Sequence, residues 1–211
     1  MPLFKQYGLH GTSVLVWKIT ETIDELLGMV SPDVAAWALE KYASEKRRAE
    51  WLAVRALLRQ HLGDDVRVVY DAEGKPSLQG AGGTVSISHT DGYVAVALSA
   101  DGDAGIDIEL LSRDVMPVAN RFMSVGQFDD VPSDQRNFVA LVNWCAKEAL
   151  YKIVGNLGGN FKDNISVANF EPYSEGVVPM KLSGLASCCG ELFIAHYSVH
   201  DDLLVVLCRK G

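Results

Sequence analysis

The stretch Gly105-Ile106-Asp107-Ile108-Glu109 alternates apolar and acidic side chains. This period of two predicts a β-strand on which Asp107 and Glu109 share one face, while Ile106 and Ile108 face a core. Two carboxylates on one face repel each other unless a cation or a proton lies between them. The stretch therefore indicates either a site for a divalent cation such as Mg²⁺ or an amphipathic strand with a solvated acidic face. Gly105 allows another segment or a ligand to approach the backbone closely.

A second acidic and basic motif lies further along the chain and reads Trp144-Cys145-Ala146-Lys147-Glu148-Ala149-Leu150-Tyr151-Lys152. It belongs to residues 135–153, whose apolar side chains recur at helical spacing. Glu148 and Lys152 are four residues apart and so share one helix face. They form either an ordinary surface ion pair, or a third metal ligand or base beside a lysine that neutralises phosphate. The second interpretation requires Glu148 to meet Asp107 and Glu109 in space.

Two shorter motifs contain candidate phosphate-binding groups. Ser88 and His89 end a predicted strand, and a hydroxyl beside an imidazole is typical of nucleophilic hydrolases. However, no G-x-S-x-G motif surrounds Ser88, and adjacent strand residues point to opposite faces. A phosphate contact or a structural histidine remains as the alternative. Gly74-Lys75-Pro76 predicts a stiff turn that presents Lys75 either to a phosphate or to solvent.

Cationic residues are concentrated in one predicted helix, and they are Lys41, Lys46, Arg47, Arg48, Arg55 and Arg59. Acidic residues are interleaved with them, so the helix presents either a local basic pocket or a solvated surface of mixed charge. The chain of 211 residues carries a net charge of −8, which argues against a general nucleic-acid-binding protein.

The sequence contains no apolar run that approaches the roughly 20 residues of a membrane-spanning helix, and its start lacks the pattern of a secretory signal. We therefore expect a cytoplasmic protein. In that compartment the four cysteines are expected as reduced thiols, and they are Cys145, Cys188, Cys189 and Cys208.

Periodicity and turn residues predict an α+β protein with antiparallel strands and helices packed on one face. Helices are predicted over 20–29, from Ser31 with a break near Ser44 to His61, over 115–122 and over 135–153. The Ser31 hydroxyl is expected to cap the second of these, followed by proline in its first turn. Strands are predicted over 12–19, 66–70, 85–88, 93–98, 105–110, 165–170, 181–185, 192–199 and 203–209. The strands between 85 and 110 are expected to form a meander. Asp101-Gly102-Asp103 is the predicted boundary between two lobes, 1–102 and 103–211.

In chain order, the motifs are a basic helix, Gly-Lys-Pro, Ser-Ile-Ser-His-Thr, Gly-Ile-Asp-Ile-Glu and Trp-x-x-Lys-Glu-x-x-x-Lys. Together they resemble the 4′-phosphopantetheinyl transferase superfamily, and in particular its monomeric two-lobed branch that activates peptide and polyketide synthases. The resemblance extends from about Lys41 to Gly159. It implies two similar lobes of antiparallel sheet packed with helices and related by a pseudo-twofold axis. The N-terminal lobe would carry coenzyme A-binding residues, and the C-terminal lobe the metal and catalytic residues.

The resemblance also implies a reaction. The 4′-phosphopantetheine group of coenzyme A would pass to a serine of an apo acyl or peptidyl carrier protein, with Mg²⁺ as cofactor and 3′,5′-ADP as the product released. The expected partners are coenzyme A and a carrier protein, with no nucleic acid, no membrane and a monomeric state. Rival interpretations are another Mg²⁺-dependent phosphoryl or phosphodiester enzyme, and a non-catalytic module that binds coenzyme A or a carrier.

Roles can be carried over to individual residues that match the family's motifs. Asp107, Glu109 and Glu148 resemble the metal ligands, with Glu148 also resembling the base for the serine, and Lys152 resembles the lysine near the pantetheine phosphate. Lys75, Ser88 and His89 resemble the groups that contact the phosphates of coenzyme A. Arg48 and Arg55 resemble arginines near the nucleotide, with Lys46 and Arg47 as neighbours. Pro76 and Gly105 resemble residues that shape the site. The sequence departs from the common family pattern at Ser86, Thr90 and Ala149-Leu150-Tyr151; the last of these changes affects expected carrier preference.

Overall fold

The computed structural model describes residues 4–100, 102–124, 126–155, 161–183 and 190–211. The chain forms two compact units, Met1–Gly102 and Asp103–Gly211. Each unit combines an antiparallel sheet with helices. The α+β class predicted from the sequence is therefore confirmed.

The first unit contains a four-stranded antiparallel sheet in the order β1-β2-β6-β5, a separate hairpin of β3 and β4, and three helices. The strands are β1 (Lys5–Leu9), β2 (Thr12–Lys18), β3 (Arg67–Tyr70), β4 (Pro76–Gln79), β5 (Thr84–Thr90) and β6 (Tyr93–Ser99). The helices are α1 (Ile23–Gly28), α2 (Pro32–Lys41) and α3 (Glu45–Leu62). The apolar face of α3 forms one core with side chains of the sheet, such as Leu15, Trp17 and Val96.

The long basic segment folds as two helices because its sequence carries a start signal in the middle. The Ser44 hydroxyl accepts a hydrogen bond from the Arg47 amide, which begins α3 as predicted. Gly63 ends α3 with a φ of +92° that favours glycine. Ser31 precedes Pro32 at the start of α2, but its hydroxyl donates to Asp33 Oδ1 rather than capping the helix. The predicted capping role of that hydroxyl is therefore wrong, although the helix begins at the predicted place.

The second unit is a five-stranded antiparallel sheet in the order β7-β11-β10-β9-β8, with a long helix packed on it. The strands are β7 (Ala104–Leu110), β8 (Ile165–Val167), β9 (Glu175–Leu182), β10 (Leu192–His200) and β11 (Leu203–Lys210). The helical segments are a 3-10 helix (Met116–Arg121), α4 (Arg136–Val154) and α5 (Phe161–Asn164). The core lies between α4 and the sheet face that carries Leu204, Val206 and Cys208.

Several sequence predictions about strands are wrong. The expected meander does not form, because β5 and β6 pair as a hairpin while β7 pairs with β11, with Asp107 opposite Val206. A strand partner nearly one hundred residues away cannot be recognised from local periodicity. Strands β1 and β4 were not predicted from the sequence. The predicted strand over 181–185 overlaps only the last two residues of β9, and the predicted strand over 165–170 is three residues longer than β8. Residues 184 and 185 of the predicted strand over 181–185 lie outside the described residues.

In the described part of the chain, no helix is both long enough and apolar enough to cross a bilayer. Cys145 and Cys208 are buried free thiols, in line with the reduced state expected for them. Cys188 and Cys189 lie outside the described residues.

Candidate active site

Strand β7 and helix α4 bring the two acidic motifs together in the second unit. Gly105 makes this close packing possible, because a Cβ at this position would overlap the carbonyl oxygen of Ala149 and lie 2.8 Å from its carbonyl carbon. Asp107 stands two residues beyond Gly105 and shares its face, so it also faces α4. The close approach foreseen at Gly105 is therefore made by the backbone of the helix that carries Glu148 and Lys152.

The acidic face of β7 is not solvated. Asp107 and Glu109 are only 7% and 8% exposed, which excludes the alternative of an amphipathic strand with its carboxylates in water. Ile106 and Ile108, on the opposite face, are buried as well. A carboxylate removed from water requires a charged partner or hydrogen bonds to remain ionised, and each of the two acids has such a partner.

Lys152 is the partner of Asp107. Its ammonium nitrogen lies 2.8 Å from Asp107 Oδ1 and also donates a hydrogen bond of 2.6 Å to the carbonyl oxygen of Ile106. The ordinary surface ion pair between Glu148 and Lys152, one of the two alternatives from the sequence, is therefore not what the structure forms. Lys152 instead places a cation directly at the predicted metal ligand.

Arg113 is the partner of Glu109, and the sequence reasoning missed it. The two side chains form an ion pair across the end of β7, at a spacing of four residues. The guanidinium carbon of Arg113 also lies 5.7 Å from the ring centroid of Trp144, the first residue of the second motif. The spacing after Glu109 was the available signal, but a local charge pair outside a helix carries little information by itself.

Glu148 lies within electrostatic range of Asp107. Burial raises the pKa of Glu148 above its ordinary value, and the charge of Asp107 raises it further, while Lys152 and Arg113 act in the opposite direction. The Cys145 thiol, one helical turn before Glu148, donates a hydrogen bond to Asp107, and burial raises the pKa of that thiol well above its ordinary value. Acids and cations of both motifs thus converge on one region of β7 and α4.

The donor chemistry of this region fits a hard divalent cation, because carboxylate oxygens with few protein ligands are what Mg²⁺ prefers. Burial is the main reason that the pKa of Glu148 is raised, and the negative charge of Asp107 raises it further. In the described residues, however, no three acidic, histidine or cysteine side chains already stand in metal-binding arrangement. The Asp107 and Glu109 carboxylates instead form ion pairs with Lys152 and Arg113.

A second charged cluster lies in the first unit, where the start of α3 meets the end of β5. Arg47 Nη1 lies 3.0 Å from Glu50 Oε2 and 2.6 Å from His89 Nε2. His89 Nδ1 is 3.4 Å from the same Glu50 oxygen. Nearby, Lys46 pairs with Asp91 at 2.8 Å. Glu50 is only 5% exposed, and the charge pattern of the helix did not predict that one of its interleaved acids is buried.

Ser88 is buried whereas His89 is exposed, which shows that the two side chains point to opposite sides of β5. This excludes them as a nucleophile–base dyad and agrees with the geometric argument made from the sequence.

The hairpin of β3 and β4 holds Lys75 on a closed turn. Asp71 Oδ1 accepts hydrogen bonds from the amides of Glu73 and Lys75, at 3.1 and 2.7 Å. Gly74 has a φ of +84°, a conformation that other residues rarely adopt. Pro76 begins β4 opposite Tyr70. The turn is thus as constrained as the Gly-Lys-Pro sequence predicted.

Arg48 and Arg55, predicted together near a nucleotide, lie in different surroundings. Arg48 donates to the carbonyl oxygen of Tyr42 at 2.5 Å and lines a cavity with Glu45 and Lys46. Arg55 donates to the Tyr70 hydroxyl at 2.9 Å and lines a separate cavity.

Comparison with known proteins identifies the family. Residues 36–99 match the model of the 4′-phosphopantetheinyl transferase N-terminal domain. Residues 103–206 match the model of the 4′-phosphopantetheinyl transferase superfamily.

Curated relatives give the same result. The 4′-phosphopantetheinyl transferase AcpT of Salmonella typhi is 32% identical over 148 residues, which cover 66% of this chain and 74% of the relative. AcpT of Escherichia coli K12 is 31% identical over 146 residues, which cover 66% of this chain and 73% of the relative. The chain belongs to the 4′-phosphopantetheinyl transferase superfamily and is a 4′-phosphopantetheinyl transferase.

Proposed function

We propose that the chain moves 4′-phosphopantetheine from coenzyme A to a serine of an apo acyl or peptidyl carrier protein, with a divalent cation, Mg²⁺, and with release of 3′,5′-ADP. The observation that carries the proposal is the meeting of Asp107, Lys152 and Glu148 on β7 and α4. Phosphoryl transfer depends mainly on positioning and on charge stabilisation, and this region supplies both acids and cations.

Asp107, Glu109 and Glu148 are the residues that would hold the metal ion. When bound, a divalent cation stabilises the negative charge that moves onto the leaving oxygen. Lys152 and Arg113 neutralise Asp107 and Glu109 in the structure, so the binding of a cation requires these ion pairs to rearrange.

Glu148 is proposed as the base. The pKa of Glu148 is raised above that of an ordinary glutamate, and a general base works best when its pKa is near the operating pH. The serine oxygen forms a bond to the β-phosphorus of coenzyme A, and the bond from that phosphorus to the bridging oxygen breaks. The serine proton passes to the Glu148 carboxylate, and 3′,5′-ADP leaves with the bonding electrons. Lys152, a lysine beside this base, stabilises charge on the transferred phosphate.

For the phosphates of coenzyme A we propose Lys75, Ser88 and His89, with Pro76 fixing the turn that carries Lys75. The contact between Arg47 and His89 supports this assignment, since it holds a guanidinium against the proposed imidazole. Arg48 remains a proposed contact of the nucleotide. The family resemblance implies the same for Arg55, but Arg55 lines a different cavity from Arg48, and we assign it a different ligand below. Three further proposals are carried over from the sequence. They are the division of roles between lobes 1–102 and 103–211, a monomeric state and a cytoplasmic location.

Incubation with coenzyme A, Mg²⁺ and a panel of apo carrier proteins tests the proposal, with intact mass as the readout. We expect a carrier to gain one phosphopantetheine and equimolar 3′,5′-ADP to appear. Hydrolysis of coenzyme A without a mass gain would support another phosphodiester enzyme instead. Binding of coenzyme A without either product would support a non-catalytic module. Loss of transfer in EDTA, restored by Mg²⁺, tests the metal separately.

A further inference from the structure

The first unit contains a second cavity that none of the proposed catalytic steps uses. It has a volume of about 550 Å³, within the range of small-molecule sites, and it lies between helices α2 and α3 and the β3–β4 hairpin. Its lining includes the aromatic residues Trp37, Trp51 and Tyr70 together with five aliphatic side chains, which are Val30, Val34, Leu58, Val66 and Val68. Trp37 and Tyr70 remain 44% and 49% exposed, so part of each of these large side chains is open to solvent.

The aromatic side chains that line the cavity, Trp37, Trp51 and Tyr70, form an aromatic wall beside the guanidinium group of Arg55. The rings of Trp37 and Trp51 stack with centroids 4.7 Å apart. The guanidinium carbon of Arg55 lies 3.8 Å from the Trp51 centroid and 5.6 Å from that of Tyr70. Its hydrogen bond to the Tyr70 hydroxyl fixes its direction. Arg55 is thus presented as a rigid, planar donor group in an apolar surrounding.

The charges of the lining arginines are not balanced equally. Arg59 pairs with Asp64 at 2.5 Å, and Arg67 pairs with Asp33 at 3.3 Å. In the described part of the chain, no carboxylate forms an ion pair with Arg55. The described lining therefore carries an excess of one positive charge, located on Arg55.

Burial lowers the pKa of Arg55, which shows that water solvates this cation poorly. An arginine nevertheless stays protonated at neutral pH and offers five N–H donors in a fixed fork. Tyr70 accepts one of them. A bound carboxylate would accept others in a charge-assisted, bidentate contact.

We propose that this cavity binds a small aromatic monoanion, whose carboxylate contacts Arg55 and whose planar body lies against Trp37 and Tyr70. The ligand class follows from the single excess charge, the aromatic wall and the size of the cavity. The described lining contains none of the other residues proposed for coenzyme A, that is, none of Arg48, Lys75, Pro76, Ser88 and His89. The proposal therefore concerns a site separate from the phosphate contacts of the transfer reaction.

Titration of the full chain with 1-naphthoate and with its neutral isostere 1-naphthamide tests the proposal. Calorimetry gives the affinities, and the indole N–H signals of the four tryptophans report the location. We expect naphthoate to bind about tenfold more tightly than naphthamide, because a hydrogen-bonded charge is lost in the amide. The indole signals of Trp37 and Trp51 should shift, whereas those of Trp17 and Trp144 should not. Equal affinities, shifts at other tryptophans or no binding would overturn the proposal.

Two variants of lining arginines separate a specific contact from general attraction by positive charge. Arg55→Gln should reduce naphthoate affinity about tenfold, to the level of naphthamide. Arg67→Gln removes the same charge from the same cavity but should leave the affinity within about twofold, because Asp33 already neutralises Arg67. Equal losses in both variants would contradict a direct contact with Arg55. If Arg55→Gln does not fold, the comparison of naphthoate with naphthamide on the unaltered chain still decides.

A competition experiment tests whether the site is separate. Displacement of naphthoate by 3′,5′-ADP would place Arg55 in the nucleotide site and overturn the proposal. Simultaneous binding of both would support it. The outcome is independent of whether the chain transfers phosphopantetheine, because neither probe is consumed.

Discussion

The Lys152 ammonium group joins α4 to β7 through two acceptors at once, Asp107 Oδ1 at 2.8 Å and the Ile106 carbonyl oxygen at 2.6 Å. The two partners of Lys152 lie 45 and 46 residues away in the sequence. Lys152 thus neutralises a nearly buried acid and fixes the helix that carries Glu148 against the strand. One side chain therefore has both a structural and a proposed chemical role.

Lys152→Met should abolish transfer and destabilise the chain. The variant removes the Lys152 cation from Asp107, whose side chain is only 10% exposed. We expect the free energy of unfolding to fall by about 3 kcal/mol, the lower end for breaking a buried pair, because Lys152 itself is 26% exposed. Urea denaturation measures the change.

The matched control for Lys152 is Lys210→Met. Lys210 pairs with Glu191 at the same distance of 2.8 Å, but its side chain is 65% exposed. A loss of less than about 1 kcal/mol is expected there. Similar losses in both variants would mean that burial does not determine the strength of these pairs.

Gly105→Ala should force β7 and α4 apart. The added Cβ would overlap the carbonyl oxygen of Ala149, and this backbone atom cannot move independently of the helix. We expect a loss of about 1–3 kcal/mol in stability together with a large loss of transfer. Gly8→Ala, in another strand, introduces a Cβ with no atom within 4 Å and should change neither quantity. A fully active Gly105→Ala variant would contradict the proposed packing.

Glu148→Gln should stop transfer without destabilising the chain at neutral pH. Because the folded-state pKa of Glu148 lies above its ordinary value of 4.5, the contribution of its protonated form is present at low pH and is lost as the pH rises through the raised pKa. The glutamine variant lacks this dependence. Its stability relative to the unaltered chain should therefore increase from about pH 4 to neutral pH.

Denaturation at a series of pH values measures that difference, with Glu40→Gln on the exposed side of α2 as the control. The Glu40 variant should track the unaltered chain throughout. A Glu148→Gln variant that transfers phosphopantetheine at the normal rate would rule out Glu148 as the base. A relative stability that falls with rising pH would contradict the direction of the pKa shift.

His89→Ala should raise the KM for coenzyme A about tenfold, with a smaller effect on kcat, because it removes one proposed phosphate contact. Steady-state rates at varied coenzyme A concentration separate the two effects. His61→Ala at the exposed end of α3 is the control and should leave KM unchanged. If His89→Ala lowers kcat and leaves KM the same, His89 contributes to the transfer step and not to ground-state binding.

The sequence predicted most helices and the central strands because their signals are local. The helix start at Ser44 and the apolar spacing of α4 depend on residues within a few turns. The missing predictions concern pairing. Nothing near Asp107 indicates that β7 pairs with β11, and the edge strand β1 gives no strong pattern of its own.

By itself, the sequence determined that Asp107 and Glu109 share a face, that Glu148 and Lys152 share another, and that the chain carries the motifs of its family. Those properties follow from the fixed periods of strand and helix. Only the tertiary structure decided that the acidic face is buried against α4 and that Lys152 and Arg113 are its counter-ions. It also decided that Arg55 lies in an aromatic cavity and forms an ion pair with no carboxylate among the described residues. Burial and ion pairing join residues distant in sequence, and the desolvation that gives them their energy exists only after the core has formed.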